Sequence, residues 1–186
     1  MKMKALEVRD GTLLEIDGEV YEVVDFMHIT PGKGRAVMRT KLKNISTGKV
    51  LERTFSSGEI LERAEVERKV MQYLYREGEE YVFMDMTTYE QVHLSEDHLG
   101  DAPKFLKDHM EIAVMWYNNR PVGVDLPPKV KLKVVSTVPG VKGDTVTQAT
   151  KPATLETGHE VQVPLFINEG EILVIDTRDG KYVERA

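Results

Sequence analysis

At 186 residues with 41% hydrophobic side chains the chain is long enough to bury a core, and its 7% aromatic share suits several small domains better than one large one. The absence of cysteine excludes a disulfide framework and a thiolate metal site, and it fits a reducing compartment. A net charge of −6 hides a local concentration of cations: residues 33–53 carry seven Lys or Arg and one acid, Glu52.

The basic start Met1-Lys2-Met3-Lys4 runs into Glu7, Arg9 and Asp10 without an apolar stretch or a small-residue cleavage site, so it does not read as a secretion signal. No apolar run reaches bilayer-spanning length. The expectation is a soluble, cytoplasmic, monomeric protein with no membrane partner. Residues 1–65 carry 11 basic and 11 acidic side chains, residues 66–129 carry 7 and 12, and residues 130–186 carry 7 and 8. An acidic body with one basic end turns that end toward a polyanion, and folded RNA fits such a field.

Taken in order, the first third reads as short strands. Leu13–Ile16 and Val20–Val24 flank Asp17-Gly18, a two-residue hairpin signal. Next comes His28-Ile29-Thr30-Pro31-Gly32-Lys33-Gly34-Arg35, in which Pro31 presets φ and Gly32 offers the positive φ of a type II turn, leaving Lys33 at the apex. From Lys33 to Lys43 the residues alternate: Ala36, Met38, Thr40 and Leu42 against a core, and Lys33, Arg35, Arg39, Lys41 and Lys43 on the other face. Ser46-Thr47-Gly48 turns the chain into Lys49–Phe55, and Ser56-Ser57-Gly58 ends that strand. About five strands joined by tight turns suggest a small barrel.

The middle third offers strands at Val70–Tyr75, Tyr81–Asp85, Thr88–Val92, Glu111–Tyr117 and Val122–Val124, with short helix-like patterning at Ser95–Asp97 and Pro103–Lys107. Leu126-Pro127-Pro128 stops the sheet, because proline cannot donate to a ladder. Boundaries therefore fall at 1–65, 66–128 and 129–186. Glu77-Gly78-Glu79 before Val82 and Asp85 is echoed by Glu169-Gly170-Glu171 before Val174 and Asp176, a hint that the second and third units repeat one five-stranded, oligonucleotide-binding (OB) type of barrel. Tyr73, Tyr75, Tyr81 and Phe83 read as core or interface rather than as base-stacking platforms.

Catalytic chemistry has little to stand on. No two of His28, His93, His98, His109 and His159 are spaced as a helical zinc pair, and Gly32-Lys33-Gly34 lacks the flanking residues of a P-loop. The Ser95-Glu96-Asp97-His98 stretch with Asp101 and Asp108 is loop-like. A Schiff-base lysine needs desolvation, which a glycine-flanked tip does not supply. No enzyme activity, catalytic residue, metal or cofactor is expected, and Lys33 reads as displayed for use on a partner.

The Pro31-Gly32-Lys33-Gly34 tip with its basic strand, Thr54-Phe55-Ser56-Ser57-Gly58-Glu59, Gln72-Tyr73-Leu74-Tyr75 with Glu80–Asp85, Gly143-Asp144-Thr145, and the run from Lys151 to Ile167 together resemble the bacterial translation elongation factor P family, relatives of the hypusine-bearing initiation factor of eukaryotes and archaea. The resemblance spans the whole chain. It implies an all-β, L-shaped arrangement of three small barrels: an N-terminal KOW/SH3-like barrel and two OB-fold barrels. It also implies binding between the peptidyl and exit sites of a ribosome stalled on consecutive prolines, with Lys33 and its tip residues Pro31, Gly32 and Gly34 reaching the acceptor end of the P-site peptidyl-tRNA.

On the same footing, Arg35, Arg39, Lys41 and Lys43 become the rRNA and tRNA contacts, and Lys33 the target of a lysine-modifying enzyme. Gly143, Asp144 and Thr145 match the third-domain loop near the exit-site codon, and Tyr182 and Arg185 match a C-terminal Tyr-x-x-Arg pattern. The stretch Val146–Thr150 departs from the glycine-rich loop common in relatives. The competing reading is a general RNA-binding KOW and OB module serving transcription or ribosome assembly, in which Lys33 matters no more than any other cation.

Overall fold

The computed structural model describes residues 1–140 and 150–186. Regular structure there is β-sheet, apart from single 3-10 turns at Ala5–Glu7, Glu96–His98 and Ala102–Lys104. The first sheet contains β1 (Lys2–Lys4), β2 (Leu13–Ile16), β3 (Glu19–Ile29), β4 (Val37–Asn44), β5 (Val50–Ser56) and β6 (Ile60–Arg63), in the order β1-β6-β2-β3-β4-β5. The second contains β7 (Glu67–Glu77), β8 (Glu80–Asp85), β9 (Gln91–Ser95), β10 (Glu111–Tyr117) and β11 (Arg120–Asp125), ordered β11-β10-β7-β8-β9. The third contains β12 (Lys129–Thr137), β13 (Thr150–Leu155), β14 (Glu160–Pro164), β15 (Ile172–Asp176) and β16 (Tyr182–Arg185), ordered β14-β13-β12-β15-β16. Each of the last two sheets curls into a half-barrel.

Local chemistry accounts for most of these boundaries. Asp17 and Gly18 both take positive φ, 53° and 82°, as the tight β2–β3 hairpin needs. β11 ends at Asp125 and β12 begins at Lys129, on either side of the Pro127-Pro128 step. The strand expected at Thr88–Val92 starts three residues later. The Asp85 carboxylate accepts the N–H groups of Thr87 and Thr88, and Tyr89 sits at φ 62°, so that stretch is a turn and not a strand.

The second and third sheets share one topology. In each, the first strand is central, the next two flank it on one side and the last two on the other. The repeat read from sequence nevertheless matched the wrong strands. Glu77-Gly78-Glu79 lies between the first and second strands of its sheet, whereas Glu169-Gly170-Glu171 precedes the fourth strand of the other. What the two stretches share is a tight turn with glycine at φ 63° and 88°.

The described chain divides into two compact units, one of residues 1–69, 94–100 and 114–124, the other of residues 70–93, 101–113 and 125–186. In the first unit, Leu14, Val23, Met38, Leu42, Phe55 and Leu61 close a core under the first sheet. A second cluster joins Val20 and Ala64 to Tyr117, with Leu13, Ile45 and Val122 packed against it. Tyr117 Oη donates to the Glu15 carboxylate at 2.6 Å, Arg120 donates to the Gly18 carbonyl, and Ser46 Oγ donates to the Val122 carbonyl. The bond to Glu15, helped by burial, holds the Tyr117 phenol above its ordinary pKa. Gly123 lies so close to the β4–β5 connection that a Cβ there would stand 2.8 Å from the Ile45 carbonyl oxygen.

In the second unit Phe105, 1% exposed, enters the core of the third sheet beside Leu132, Leu155, Val163, Ile167, Leu173 and Ile175. Its ring and that of His159 meet edge to face with centroids 5.6 Å apart, and His159 Nε2 is 2.9 Å from the Gly180 carbonyl. Tyr73, Tyr81 and Phe83 are buried, with the Tyr73 ring in contact with both of the others, as core aromatics are, while Tyr75 is exposed. No helix among the described residues is long and apolar enough to cross a membrane.

Candidate functional site: a lysine tip on a basic ribbon

β3 and β4 form a long antiparallel ribbon whose last pair is Ile29–Val37. Residues 30–35, between them, are all exposed and make bends without a regular turn. Lys33 occupies the apex. The geometry corrects one detail of the sequence reading: positive φ falls on Gly34, at 113°, and not on Gly32. The reversal therefore follows the lysine. Pro31 still packs near it, since a Cβ on Gly34 would lie 3.8 Å from Pro31 Cγ.

Alternation along β4 is as the sequence reads. Met38, Thr40, Leu42 and Asn44 are buried, and Arg39, Lys41 and Lys43 are exposed. Buried Thr40 is satisfied by donating its hydroxyl to the Arg53 carbonyl at 2.7 Å.

Register changes the charge picture. Lys41 lies directly between Asp25 of β3 and Glu52 of β5, and Lys43 lies opposite Glu22. Directly opposed residues have Cβ atoms about 5 Å apart, close enough for acids to offset both lysines. Arg39 instead lies between Met27 and Thr54. Among the described cations of this run, Arg39 thus has no acid directly opposite it, and Lys33 and Arg35 lie beyond the ladder at the tip end of the ribbon. Asp25 and Glu22, eight or more residues before the basic run, gave no sign in the sequence that they would sit beside it.

The base of the tip is held from the β5–β6 turn. Ala36 O accepts both the Ser57 N–H, at 3.0 Å, and the Ser57 hydroxyl, at 2.9 Å. Arg35, Ala36 and the turn Ser56-Ser57-Gly58-Glu59 line an open cleft of about 500 Å³ beside it.

Gly143, Asp144 and Thr145 lie outside the described residues, as does most of the divergent Val146–Thr150 stretch. Flanking that segment, Lys151 is 4% exposed and donates from Nζ to the Val138 carbonyl at 2.6 Å. Tyr182 packs against the core of the third sheet. Arg185 stacks 4.2 Å from the Phe166 ring centroid and pairs with Glu171 at 3.1 Å, so it is committed within its own unit. His98 is exposed and Asp101 pairs with Lys104 at 3.2 Å. Among the described residues no three His, Asp or Glu side chains are grouped to hold a metal ion.

Comparison with known proteins matches three families in succession. "Elongation factor P (EF-P) KOW-like domain" matches residues 4–61, "Elongation factor P (EF-P) OB domain" residues 66–124, and "Elongation factor P, C-terminal" residues 130–185. The elongation factor P of Moorella thermoacetica is 57% identical over 180 residues, covering 97% of each chain. That of Pelotomaculum thermopropionicum is 53% identical over 179 residues, covering 96% of this chain and 97% of its own. Among solved structures, the "Eukaryotic translation initiation factor 5A" from Methanococcus jannaschii superposes with a TM-score of 0.52 at 23% identity. It covers 67% of this chain and 92% of its own, a likeness of fold.

Proposed function

Because the chain belongs to the elongation factor P family and is a translation elongation factor, we propose that it binds the ribosome between the peptidyl and exit sites and speeds peptide-bond formation at consecutive prolines. Proline is a slow partner because its nitrogen is a ring secondary amine and its φ is locked. The factor needs no acid or base of its own to help. Steadying the acceptor end of the peptidyl-tRNA in a reactive pose lowers the entropic part of the barrier, and each 1.36 kcal/mol so supplied is about tenfold in rate.

The observation that carries this reading is the tip itself. An exposed lysine stands at the apex of a two-stranded ribbon, with Arg35 and Arg39 behind it and no acid directly opposite Arg39. Arg35 and Arg39 take phosphates of rRNA and tRNA, while Lys41 and Lys43, shared with Asp25, Glu52 and Glu22, contribute less. Lys33 is open to a lysine-modifying enzyme that would lengthen its reach. Residues 1–65, 66–128 and 129–186 serve as the three functional domains. Gly143, Asp144 and Thr145 contact the exit-site codon region, and Tyr182 and Arg185 support that domain by fixing its last strand. The test is single-turnover synthesis through a run of prolines on purified ribosomes. Added protein should accelerate it while leaving proline-free synthesis unchanged, and an equal effect on both templates would refute the reading.

A further inference from the structure

We propose that Ser57 is a positioning residue for the lysine tip, a role that rests on the function proposed above. The tip loop leaves the ribbon at Ile29 and returns at Val37, so Ala36 is its returning stem. Ser57 commits both of its donors, the backbone N–H and the side-chain hydroxyl, to the one carbonyl oxygen of Ala36, at 3.0 and 2.9 Å. A single bond to a carbonyl leaves the peptide free to pivot about it; two donors from one residue remove that pivot.

Ser57 is itself held from behind. Glu59 N–H donates to the Ser56 carbonyl at 2.9 Å, and the Glu59 carboxylate accepts the Ser56 N–H at 3.2 Å, closing the turn on itself. Leu6 N–H donates to the Ser57 carbonyl and Ala5 N–H to the Glu59 carbonyl, and Ala5 is fully buried in the core of the first sheet. A chain of hydrogen bonds thus runs from the core through the β5–β6 turn to the stem of the tip.

The lever arm makes this matter. Lys33 is three residues from Ala36, a reach of about 10 Å, so a 10° swing at the stem moves the apex backbone by about 2 Å. A misplacement of about 1 Å in a positioning element can cost about a hundredfold in rate. Removing the hydroxyl leaves the backbone bond and the strand ladder in place, so the fold is kept while the tip gains freedom.

The experiment measures the maximal proline-run rate and the half-saturating factor concentration for the native protein, Ser57→Ala and Ser57→Thr, each alone and with Lys33→Ala. Ser57→Ala should lower the maximal stimulation about tenfold, shift half-saturation by less than about twofold, and be restored by Ser57→Thr, which returns the hydroxyl. In the Lys33→Ala background it should do nothing further. Full stimulation by Ser57→Ala overturns the proposal, as does an equal loss in the Lys33→Ala background or a failure of Ser57→Thr to restore it. Glu59→Gln, which keeps an acceptor for the Ser56 N–H, should behave as native, and a loss matching that of Ser57→Ala would assign the effect to charge instead. If the native protein itself gives no stimulation, the function fails and not the latch alone.

Discussion

Replacing Phe105 with alanine tests how far the two OB-type segments depend on each other for stability. Phe105 comes from the loop between β9 and β10 yet is 1% exposed within the core of the third sheet. Truncating a buried phenylalanine costs about 3 to 5 kcal/mol through lost transfer energy and the cavity left behind. The edge contact with His159 adds about 0.5 to 1.5 kcal/mol to the interactions lost. The loss should be confined to the unit of residues 70–93, 101–113 and 125–186. Amide exchange in denaturant separates the outcomes: Leu132, Leu155 and Leu173 should lose protection, and Leu14 and Leu42 should keep theirs. Trp116, in the other unit with Lys69 Nζ 4.9 Å from its ring centroid, gives a fluorescence transition that should stay in place. A loss below about 1 kcal/mol, or an equal loss at Leu14 and Leu42, would refute the assignment of Phe105 to that core.

Two further outcomes follow from charge. Arg39→Glu should weaken ribosome binding and lower the salt slope of log K by about 1 or more, against a smaller change for Lys41→Glu, whose neighbours Asp25 and Glu52 already offset it. Binding isotherms across a salt series decide this, and equal slopes would discard the register argument. Burial, reinforced by the charge of Asp108, pushes the Tyr73 phenol up to about 12. The folded state therefore holds that proton longer than the unfolded one does. The stability contributed by Tyr73 is fully present below pH 10 and is lost as pH rises from about 10 to 12. Denaturant titrations over that range should show a shallower decline in Tyr73→Phe, and an unchanged decline would show that another group sets the alkaline limit.

What the sequence made legible was local. Asp17-Gly18 declares its hairpin because the turn's φ requirement is met by two adjacent residues, and β4 declares its faces through strict alternation. Composition does not separate Gly32 from Gly34, because either glycine satisfies a turn and only tertiary geometry puts the positive φ on Gly34. Nothing in Thr88-Tyr89-Glu90 announces a tyrosine at positive φ, so the late start of β9 is not legible in the sequence. Long-range pairing was beyond reach: the acids beside Lys41 and Lys43 come from other strands, and Phe105 finds its core at Leu132 to Ile175. The two OB-type sheets were recognised as related, but which strand answers to which is fixed by sheet order, and a short turn motif does not encode that.

The most direct measurement is the rate of a Pro-Pro-Pro step on purified ribosomes with the native-host protein or its Lys33→Ala variant, both confirmed as folded and ribosome-bound. The native protein should accelerate the step, and Lys33→Ala should bind with similar affinity but not accelerate it. Equal acceleration by the two would contradict the account, because the exposed apex lysine would then contribute no more than any other cation on the ribbon.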